Sequence, residues 1–260
     1  MKNIEESLGC PVFLRANSGI VLTPEGELYY EYCRRMLRET EELKQSMGAM
    51  TGEVRGTLKI ASSINFADYE LPGLLRGFMK AYPDVRIELK TGYSHEVSKL
   101  FNSGDCMVAL VRGDYKCVGY TVPLLQEPYC LVYKDEIDVT ELCSIPFIRY
   151  RTDHSVSVII DNWCTEHLPE LPKSIMELDS MVTCRHFIQH GLGWSILPYM
   201  GLGSSQEKGL HIMPIKDRAH RNIVRGTSLV YDELNGKLAA VQAFVAYVRK
   251  YYKERPGALI

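Results

Sequence analysis

The stretch LPGLLRGFMKAYPDVRIELKTG, Leu71–Gly92, decides the fold of this chain, because it contains a helix, a stop signal and a strand in succession. Its first half places six apolar residues on one face of a helix, namely Leu71, Leu74, Leu75, Phe78, Met79 and Tyr82. Pro83-Asp84 ends this helix, and Val85–Lys90 then alternates apolar and polar residues as a half-buried strand does. A helix that leads directly into a strand is one unit of an α/β fold.

Strand and helix patterns on both sides of this unit continue the alternation. Thr57–Ala61 reads as a strand, and the turn Ser62–Asn65 separates it from the helix. A helix follows at 95–102, and Met107–Val111 is an uninterrupted apolar run typical of a buried strand. Strand, helix, strand, helix, strand predicts a parallel α/β arrangement.

The second half of the chain repeats this theme. The predicted strands lie at 129–132, 146–149, 174–177, 194–198 and 227–231. The predicted helices lie at 156–163, at 179–190 with Asp179 as the N-cap, and at 235–252.

A long helix is predicted from Pro24 to about residue 50. Thr23 suits the N-cap, and Pro24 and Glu25 suit the first turn. Its less polar residues are spaced alternately by four and three, which forms a heptad seam of Tyr29, Cys33, Met36, Thr40, Leu43, Met47 and Met50. A rod with one apolar stripe and charges elsewhere is expected to dimerise along that stripe. The alternative is a helix that packs on its own domain.

Composition excludes several classes of protein. The chain has 260 residues, 46% hydrophobic and 24% charged, with a net charge of -2, as expected of a globular chain with two modest domains. A dedicated nucleic-acid binder would usually be basic. Without an apolar run of roughly 18 residues or a signal peptide, we expect a cytoplasmic protein with no membrane partner. The eight cysteines lack a C-x-x-C pair, which favours reduced thiols over a redox-sensing cysteine.

Several segments together resemble the LysR family of transcription regulators. GTLKIASS, Gly56–Ser63, resembles the family's GxLxIGxS, and Leu71–Gly92 resembles LPxLLxxFxxxYPxVxLxLxxG. FNSGDCMVALVRG, Phe101–Gly113, is similar to LxxGxLDLAIVxG, and HFIQHGLGWSILP, His186–Pro198, is similar to xLVxAGLGIALLP. NGKLAAVQAFVAYVRKYY resembles the closing helix. The resemblance covers essentially the whole chain in the family's order.

The resemblance implies an α/β fold with a partial winged helix, a long linker helix and two Rossmann-like subdomains around a cleft, as in periplasmic binding proteins. The expected domains are a winged-helix remnant at 1–23, a dimerising linker helix at 24–51, subdomain I at 57–129 with 232–255, and subdomain II at 130–231. The segment Lys134–Asp138 is shorter than in most members, which leaves the shape of the cleft rim open.

The first 26 residues resemble the second half of the family's winged helix-turn-helix, with the end of the DNA-reading helix and then the wing. The resemblance implies DNA contacts by Lys2, Asn3, Arg15, Asn17 and Ser18. Such wing residues typically touch phosphate or the minor groove rather than read bases. The base-reading half of the recognition helix would precede Met1. DNA is therefore expected as a partner if the missing helices are present in the natural protein.

The turn Ser62-Ser63-Ile64-Asn65 is the best local signal for a ligand. Ligands of open α/β sheets bind beyond the carboxyl ends of strands, and hydroxyl and N–H groups at a helix start can bind a carboxylate or phosphate. In the LysR family this loop contacts the effector. The alternative is that Ser63 or Asn65 only caps the helix.

A second group of candidates would face this turn across the cleft. Arg149, Arg151 and Thr152 end the corresponding strand of the second subdomain. Arg112, which follows a buried strand of the first subdomain, is a separate candidate. Guanidinium and hydroxyl groups favour an anion, so a small organic acid is the expected effector. The alternative for the strand end is solvated charge.

No cofactor, metal or catalytic centre is expected. His186 and His190 are four residues apart but lack the H-E-x-x-H pattern and a third ligand. No G-x-S-x-G nucleophile elbow occurs either.

Two hypotheses for the function remain. The first is a LysR-type regulator that senses a small, anionic metabolite in the cleft and controls transcription as a homodimer or homotetramer. The alternative is a DNA-binding-deficient solute-binding module that sequesters a metabolite or pairs with full-length relatives.

Overall fold

The N-terminal segment forms a short helix followed by a two-stranded wing. The computed structural model describes residues 2–16, 19–49, 54–135, 138–202 and 209–255. Helix α1 (Lys2–Leu8) precedes the antiparallel strands β1 (Phe13–Ala16) and β2 (Gly19–Leu22). The Glu5 carboxylate accepts the backbone N–H of Val12 at 2.9 Å, which ties the helix to the wing.

Helix α2 (Pro24–Ala49) begins where the sequence predicts. It spans 26 residues, or about 39 Å at 1.5 Å per residue. Thr23 caps it, since its Oγ1 accepts the backbone N–H of Gly26 at 2.9 Å. A Cβ at Gly26 would lie 2.0 Å from the carbonyl oxygen of Val12, so only glycine allows the wing to approach the first turn this closely.

Two faces of α2 have different surroundings. Met36 and Leu43 of the predicted seam are 47% and 61% exposed in the single chain. On another face, Arg34 donates to the carbonyl of Ser103 and lies 3.2 Å from the Asp105 carboxylate. The helix therefore contacts residues 103–105 of its own chain and leaves Met36 and Leu43 of the seam open.

The first subdomain is built on a parallel sheet. Strand β3 (Gly56–Ser63) lies between β4 (Val85–Gly92) and β5 (Val108–Arg112) and is parallel to both. The connecting helices are α3 (Ile64–Tyr69), α4 (Leu71–Ala81) and α5 (Ser94–Asn102). The stretch quoted at the start thus forms α4 and β4, as predicted.

Helix α4 buries one face in the core of this subdomain against the last helix, α8 (Ala239–Lys253). The rings of Phe78 and Phe244 meet edge to face, with centroids 5.0 Å apart. Met79, which the sequence assigns to the inner face, is 51% exposed and lies at the border of that face.

One long strand joins the two subdomains. Strand β6 (Tyr120–Tyr133) pairs with β11 (Val224–Tyr231) along its first part and with β9 (Ser195–Pro198) and β10 (His211–Pro214) along its last part. Strand β11 also pairs with β5 over its second half. The two subdomains therefore share a continuous backbone hydrogen-bond network at β6.

The pairing of β11 bears on the domain boundaries. The sequence places residues 130–231 in the second subdomain, whereas β11 pairs with a strand of the first. We therefore propose that the chain returns to the first subdomain near residue 224 rather than 232.

The second subdomain repeats the same construction. Strands β7 (Phe147–Tyr150) and β8 (Ser174–Leu178) are parallel, and the helices are α6 (His154–His167) and α7 (Met181–Gln189). The fully buried Trp194 lies at the centre, and its indole N–H donates to the carbonyl of Leu142 at 2.9 Å.

The expected α/β alternation is confirmed, with two corrections. Strand β10 and the first half of β6 are additional; Pro123 and Pro128 in β6 are residues that local propensity disfavours in a strand. The predicted cap of α7 is wrong, because Ser180 accepts the N–H of Thr183 at 3.3 Å. Asp179 instead faces Arg151 at 3.4 Å.

A glycine between α7 and β9 provides a stability test. Gly193 has φ +148°, and a Cβ there would lie 2.2 Å from the carbonyl oxygen of Pro146. We expect Gly193→Ala to lower the free energy of unfolding by about 2–4 kcal/mol through strain and backbone displacement. Gly226→Ala is the control, because nothing lies within 4 Å of its added Cβ. Equal midpoints for the two variants in urea unfolding would contradict the expectation.

Candidate functional site

A cavity of about 100 Å³ lies between the two subdomains. Ser63 and Asn65 line it from the first subdomain, and Tyr150 and Thr152 line it from the second. The amide of Asn65 donates to the Tyr150 hydroxyl at 3.2 Å, which bridges the cleft. Burial raises the pKa of the Tyr150 phenol, so this hydroxyl stays protonated at neutral pH.

Besides the short helix α3, which starts at Ile64, three longer helices begin at this cavity. Ser94 at the start of α5, Asp153 just before α6 and Ser180 just before α7 all line it. The positive ends of the helix dipoles lie at these N-termini. The backbone at the cavity wall thus favours a negatively charged group.

Arg112 forms one of two buried ion pairs at the site. Its guanidinium donates to Glu127, and the exposures of the two side chains are only 2% and 6%. The other oxygen of Glu127 accepts the backbone N–H of Met200 from the second subdomain. Burial raises the pKa of the Glu127 carboxyl, while Arg112 opposes that rise.

Arg225 forms the second buried ion pair. It donates to the Asp153 carboxylate at 2.9 Å, to the Tyr129 hydroxyl at 3.2 Å and to the backbone carbonyl of Arg112 at 2.9 Å. Asp153 also contacts Nδ1 of His95 at 3.1 Å. Burial acts to lower the pKa of Arg225, but Tyr129 and Asp153 outweigh it and the net direction is upward. The guanidinium therefore stays charged.

Several buried donors at this site have no hydrogen-bond partner within the described stretches. They are the Ser63 hydroxyl and the Nε atoms of Arg112 and Arg225. The Thr227 hydroxyl is also buried without a partner, but this residue does not line the cavity. Thr227 lies directly opposite Arg112 in the pairing of β11 with β5. Buried polar groups are normally satisfied, so this cluster is suited to a polar occupant.

The structure brings most of the predicted effector-site residues to the cavity. Ser63, Ile64, Asn65, Arg112 and Thr152 all line it. Their contact with an effector remains a prediction.

Three other predicted residues lie elsewhere. Ser62 is buried behind the cavity wall, where its hydroxyl donates to the carbonyl of Ser63 at 3.2 Å. Arg149 pairs with Asp161 at 2.9 Å, because alternation along β7 turns it to the face opposite Tyr150. Arg151 is 60% exposed and lines a larger outer cavity of about 600 Å³.

Sequence reasoning missed Arg225 and Asp153, which line the cavity. The alternation Arg225, Thr227, Leu229 puts an arginine on the buried face of a strand, which is a usable signal. The role of Asp153 had no local signal, since its partners His95 and Arg225 are far away in sequence.

The predicted DNA and dimer contacts lie on the N-terminal elements. Lys2 and Asn3 lie in α1, and Arg15 lies in β1. Asn17 and Ser18 lie outside the described residues. In the seam, Tyr29 and Cys33 are half-buried, whereas Met36, Thr40 and Leu43 are exposed. Met50 and the side chains of Lys2, Arg15 and Met47 lie outside the described part.

The remaining chemistry-bearing groups give little support for other functions. Burial raises the pKa of the Cys106, Cys130, Cys164 and Cys184 thiols to about 12, so they are unreactive near neutral pH. Within the stretches that are described, no His, Cys, Asp and Glu side chains group as metal ligands. In the same stretches, no helix is both long and apolar enough to span a membrane.

Comparisons with known proteins agree with this architecture. A family model described as the LysR substrate binding domain matches residues 51–253. The uncharacterized HTH-type transcriptional regulator YraN of Bacillus subtilis (strain 168) is 36% identical over 249 residues, which cover 96% of this chain and 86% of that protein. YkuM of the same organism, also described as an uncharacterized HTH-type transcriptional regulator, is 28% identical over 251 residues, with coverages of 96% and 85%.

Solved structures share the fold at lower identity. A full-length OxyR variant from Pseudomonas aeruginosa superposes with a TM-score of 0.69 at 19% identity, covering 96% of this chain and 83% of that one. CbnR, a LysR family transcriptional regulator, has a TM-score of 0.56 at 19% identity, with coverages of 96% and 88%.

The buried pair of Arg112 and Glu127 yields a stability prediction. Glu127→Leu leaves a charged guanidinium buried without its carboxylate, so we expect it to lose about 3–5 kcal/mol of unfolding free energy. The double variant Arg112→Met/Glu127→Leu removes both charges, and we expect it to be more stable than the single variant by about 2 kcal/mol or more. Chemical unfolding of the three proteins measures this. A double variant no more stable than Glu127→Leu would show that the pair is not the dominant interaction there.

Proposed function

Because the chain belongs to the family of LysR-type transcriptional regulators, we propose that it senses a small metabolite with an acidic group in the cleft between its subdomains. It is a regulator with an effector-binding domain and not an enzyme. We further propose that it acts on DNA as a dimer or tetramer in the cytoplasm, where a transcription regulator has access to the chromosome.

The main support for an acidic group on the ligand is the set of buried donors that have no hydrogen-bond partner. Ser63, Arg112 and Arg225 line one small cavity and each has a buried polar atom with no partner in the described part of the chain. A carboxylate accepts several hydrogen bonds at once, and charge-assisted bonds are the strongest of their kind. The N-termini of α5, α6 and α7 at the same cavity support the same sign of charge.

The position of the cavity supports a regulatory role for its occupant. A ligand that touches both subdomains binds one of their arrangements more tightly than others and shifts the population toward it. Tyr150 and Thr152 belong to the second subdomain, whereas Ser63 and Arg112 belong to the first, so such differential contact is available.

The open seam of α2 supports the dimer. Most of the stability of a helix in a protein comes from packing of its apolar face, and an exposed apolar stripe is stabilised by a partner helix. Met36 and Leu43 are the large apolar residues of the seam whose exposure is described. A second copy of the chain supplies a matching stripe.

Acetate is a suitable first probe of the cavity. A cavity of about 150 Å³ holds a benzene molecule, so the cavity of about 100 Å³ suits a group the size of acetate. We expect acetate to raise Tm relative to chloride at equal ionic strength. Ser63→Ala removes one donor to a charged group, so it should weaken acetate affinity about tenfold.

Ser62→Ala is the matched control for this experiment. Its hydroxyl donates to the carbonyl of Ser63 and does not line the cavity. Acetate should bind this variant as it binds the wild-type protein. Wild-type acetate affinity in Ser63→Ala would remove Ser63 from the ligand site, and the absence of acetate binding to the wild type would count against the acidic group.

Sedimentation velocity tests the dimer. Met36→Asp/Leu43→Asp places charges in the seam, so the sedimentation coefficient should fall to that of a monomer. Leu28→Asp is the control, since Leu28 is 75% exposed and lies outside the heptad positions. An unchanged dimer in the double variant would place the interface elsewhere.

A further inference from the structure

The cations of the cavity are already neutralised within the protein. Arg112 is paired with Glu127, and Arg225 is paired with Asp153. All four side chains are buried, so solvent screens these pairs weakly. The cavity floor offers hydrogen-bond donors without a net positive charge.

The rim of the same cavity is acidic. Asp68 lines it from α3 in the first subdomain, and Asp179 lines it from the second. Among the described residues Asp68 has no ion pair or hydrogen bond, whereas Asp179 faces Arg151 at 3.4 Å. Both members of that second pair are well exposed, with side-chain exposures of 66% and 60%, so their interaction is weak.

A ligand that carries only negative charge fits this arrangement poorly. It gains from the donors on the floor but meets Asp68 and Asp179 at the entrance, and like charges in a partly desolvated site repel. A ligand that carries a positive group beside its acid turns that repulsion into attraction. The second charge must lie close to the acid, since the cavity measures only about 100 Å³.

From these charges we infer that the effector is a small α-amino acid, bound as a zwitterion. This inference rests on the proposed function, because it concerns the same cavity. The carboxylate binds the unpartnered donors of Ser63, Arg112 and Arg225. The ammonium group, one carbon away, faces Asp68 and Asp179. Ser63 supports this assignment independently of the acidic rim, because the residue lines the cavity and is only 4% exposed, and its hydroxyl has no partner within the described chain.

The outer cavity has room for the amino-acid side chain. It measures about 600 Å³ and shares Tyr93, Thr152 and Asp153 with the inner cavity. The rings of Tyr93 and His95 stack there at 5.9 Å between centroids. The inner cavity thus recognises the carboxylate and ammonium groups common to all α-amino acids, and the outer cavity accommodates the side chain, which differs among them.

Isothermal titration of the wild-type protein with three matched probes tests the inference. L-Alanine carries both charges, propionate lacks the ammonium group, and ethylamine lacks the carboxylate. We expect L-alanine to bind at least about tenfold more tightly than either analogue, because each lost charge removes a charge-assisted contact.

The variant Asp68→Asn then separates the two ends of the ligand. It should weaken L-alanine binding about tenfold and leave propionate binding equal or stronger, since it removes a carboxylate that attracts one probe and repels the other. Asp84→Asn is the matched control, because Asp84 is an exposed acid in the turn before β4 and does not line the cavity. It should bind all three probes as the wild type does.

The outcomes distinguish this inference from the function on which it rests. Propionate binding as tightly as L-alanine, with no effect of Asp68→Asn, overturns the amino-acid inference and leaves an acid-sensing cleft intact. Failure of L-alanine, propionate and acetate alike to bind overturns both. Tighter binding of L-alanine that Asp68→Asn weakens and Asp84→Asn does not supports both.

Discussion

Two buried ion pairs lie at the junction of the two subdomains of this regulator and constrain the groups around them. Arg112 with Glu127 and Arg225 with Asp153 lie where β5, β6 and β11 approach the second subdomain. Burying a charge is costly unless a partner and further hydrogen bonds satisfy it, so these side chains leave little freedom to the surrounding backbone. Since Glu127 also accepts the N–H of Met200, the same charges position both walls of the cleft.

This arrangement links occupancy of the cavity to the relation between the subdomains. An acid bound as proposed would share Arg112 and Arg225 with the carboxylates that already neutralise them. Weakening the bond between Arg225 and Asp153 would affect the start of α6, because Asp153 immediately precedes that helix. Weakening the bond between Arg112 and Glu127 would affect the contact between Glu127 and Met200. A ligand that contacts the two arrangements differently then shifts their equilibrium, which is what an effector requires.

Local patterns in the sequence predict the elements but not the contacts between them. The apolar periodicity of Leu71–Gly92 and the cap at Thr23 are local, and both are present in the structure. The position of Ser63 at the cavity was predictable, because ligands of open α/β sheets bind at the carboxyl ends of the strands. The role of Asp153 was not predictable, because it depends on an ion pair with Arg225, which is distant in the chain. The cap of α7 was wrong for a similar reason: Asp179 pairs with Arg151 while Ser180 caps the helix.

Contacts of helix α2 connect the surroundings of the cleft with the N-terminal wing. Helix α5 begins at the cavity with Ser94 and ends next to Ser103, whose carbonyl accepts a hydrogen bond from Arg34 of α2. A helix of nine residues is a rigid connection of about 13 Å. Because Arg34 lies on a different face of α2 from Met36 and Leu43, the contact with the effector domain leaves the proposed dimer seam free. The described contacts therefore run from the cavity through α5 and Arg34 to α2, and along α2 to the wing that Thr23 and Gly26 hold against the first turn of that helix.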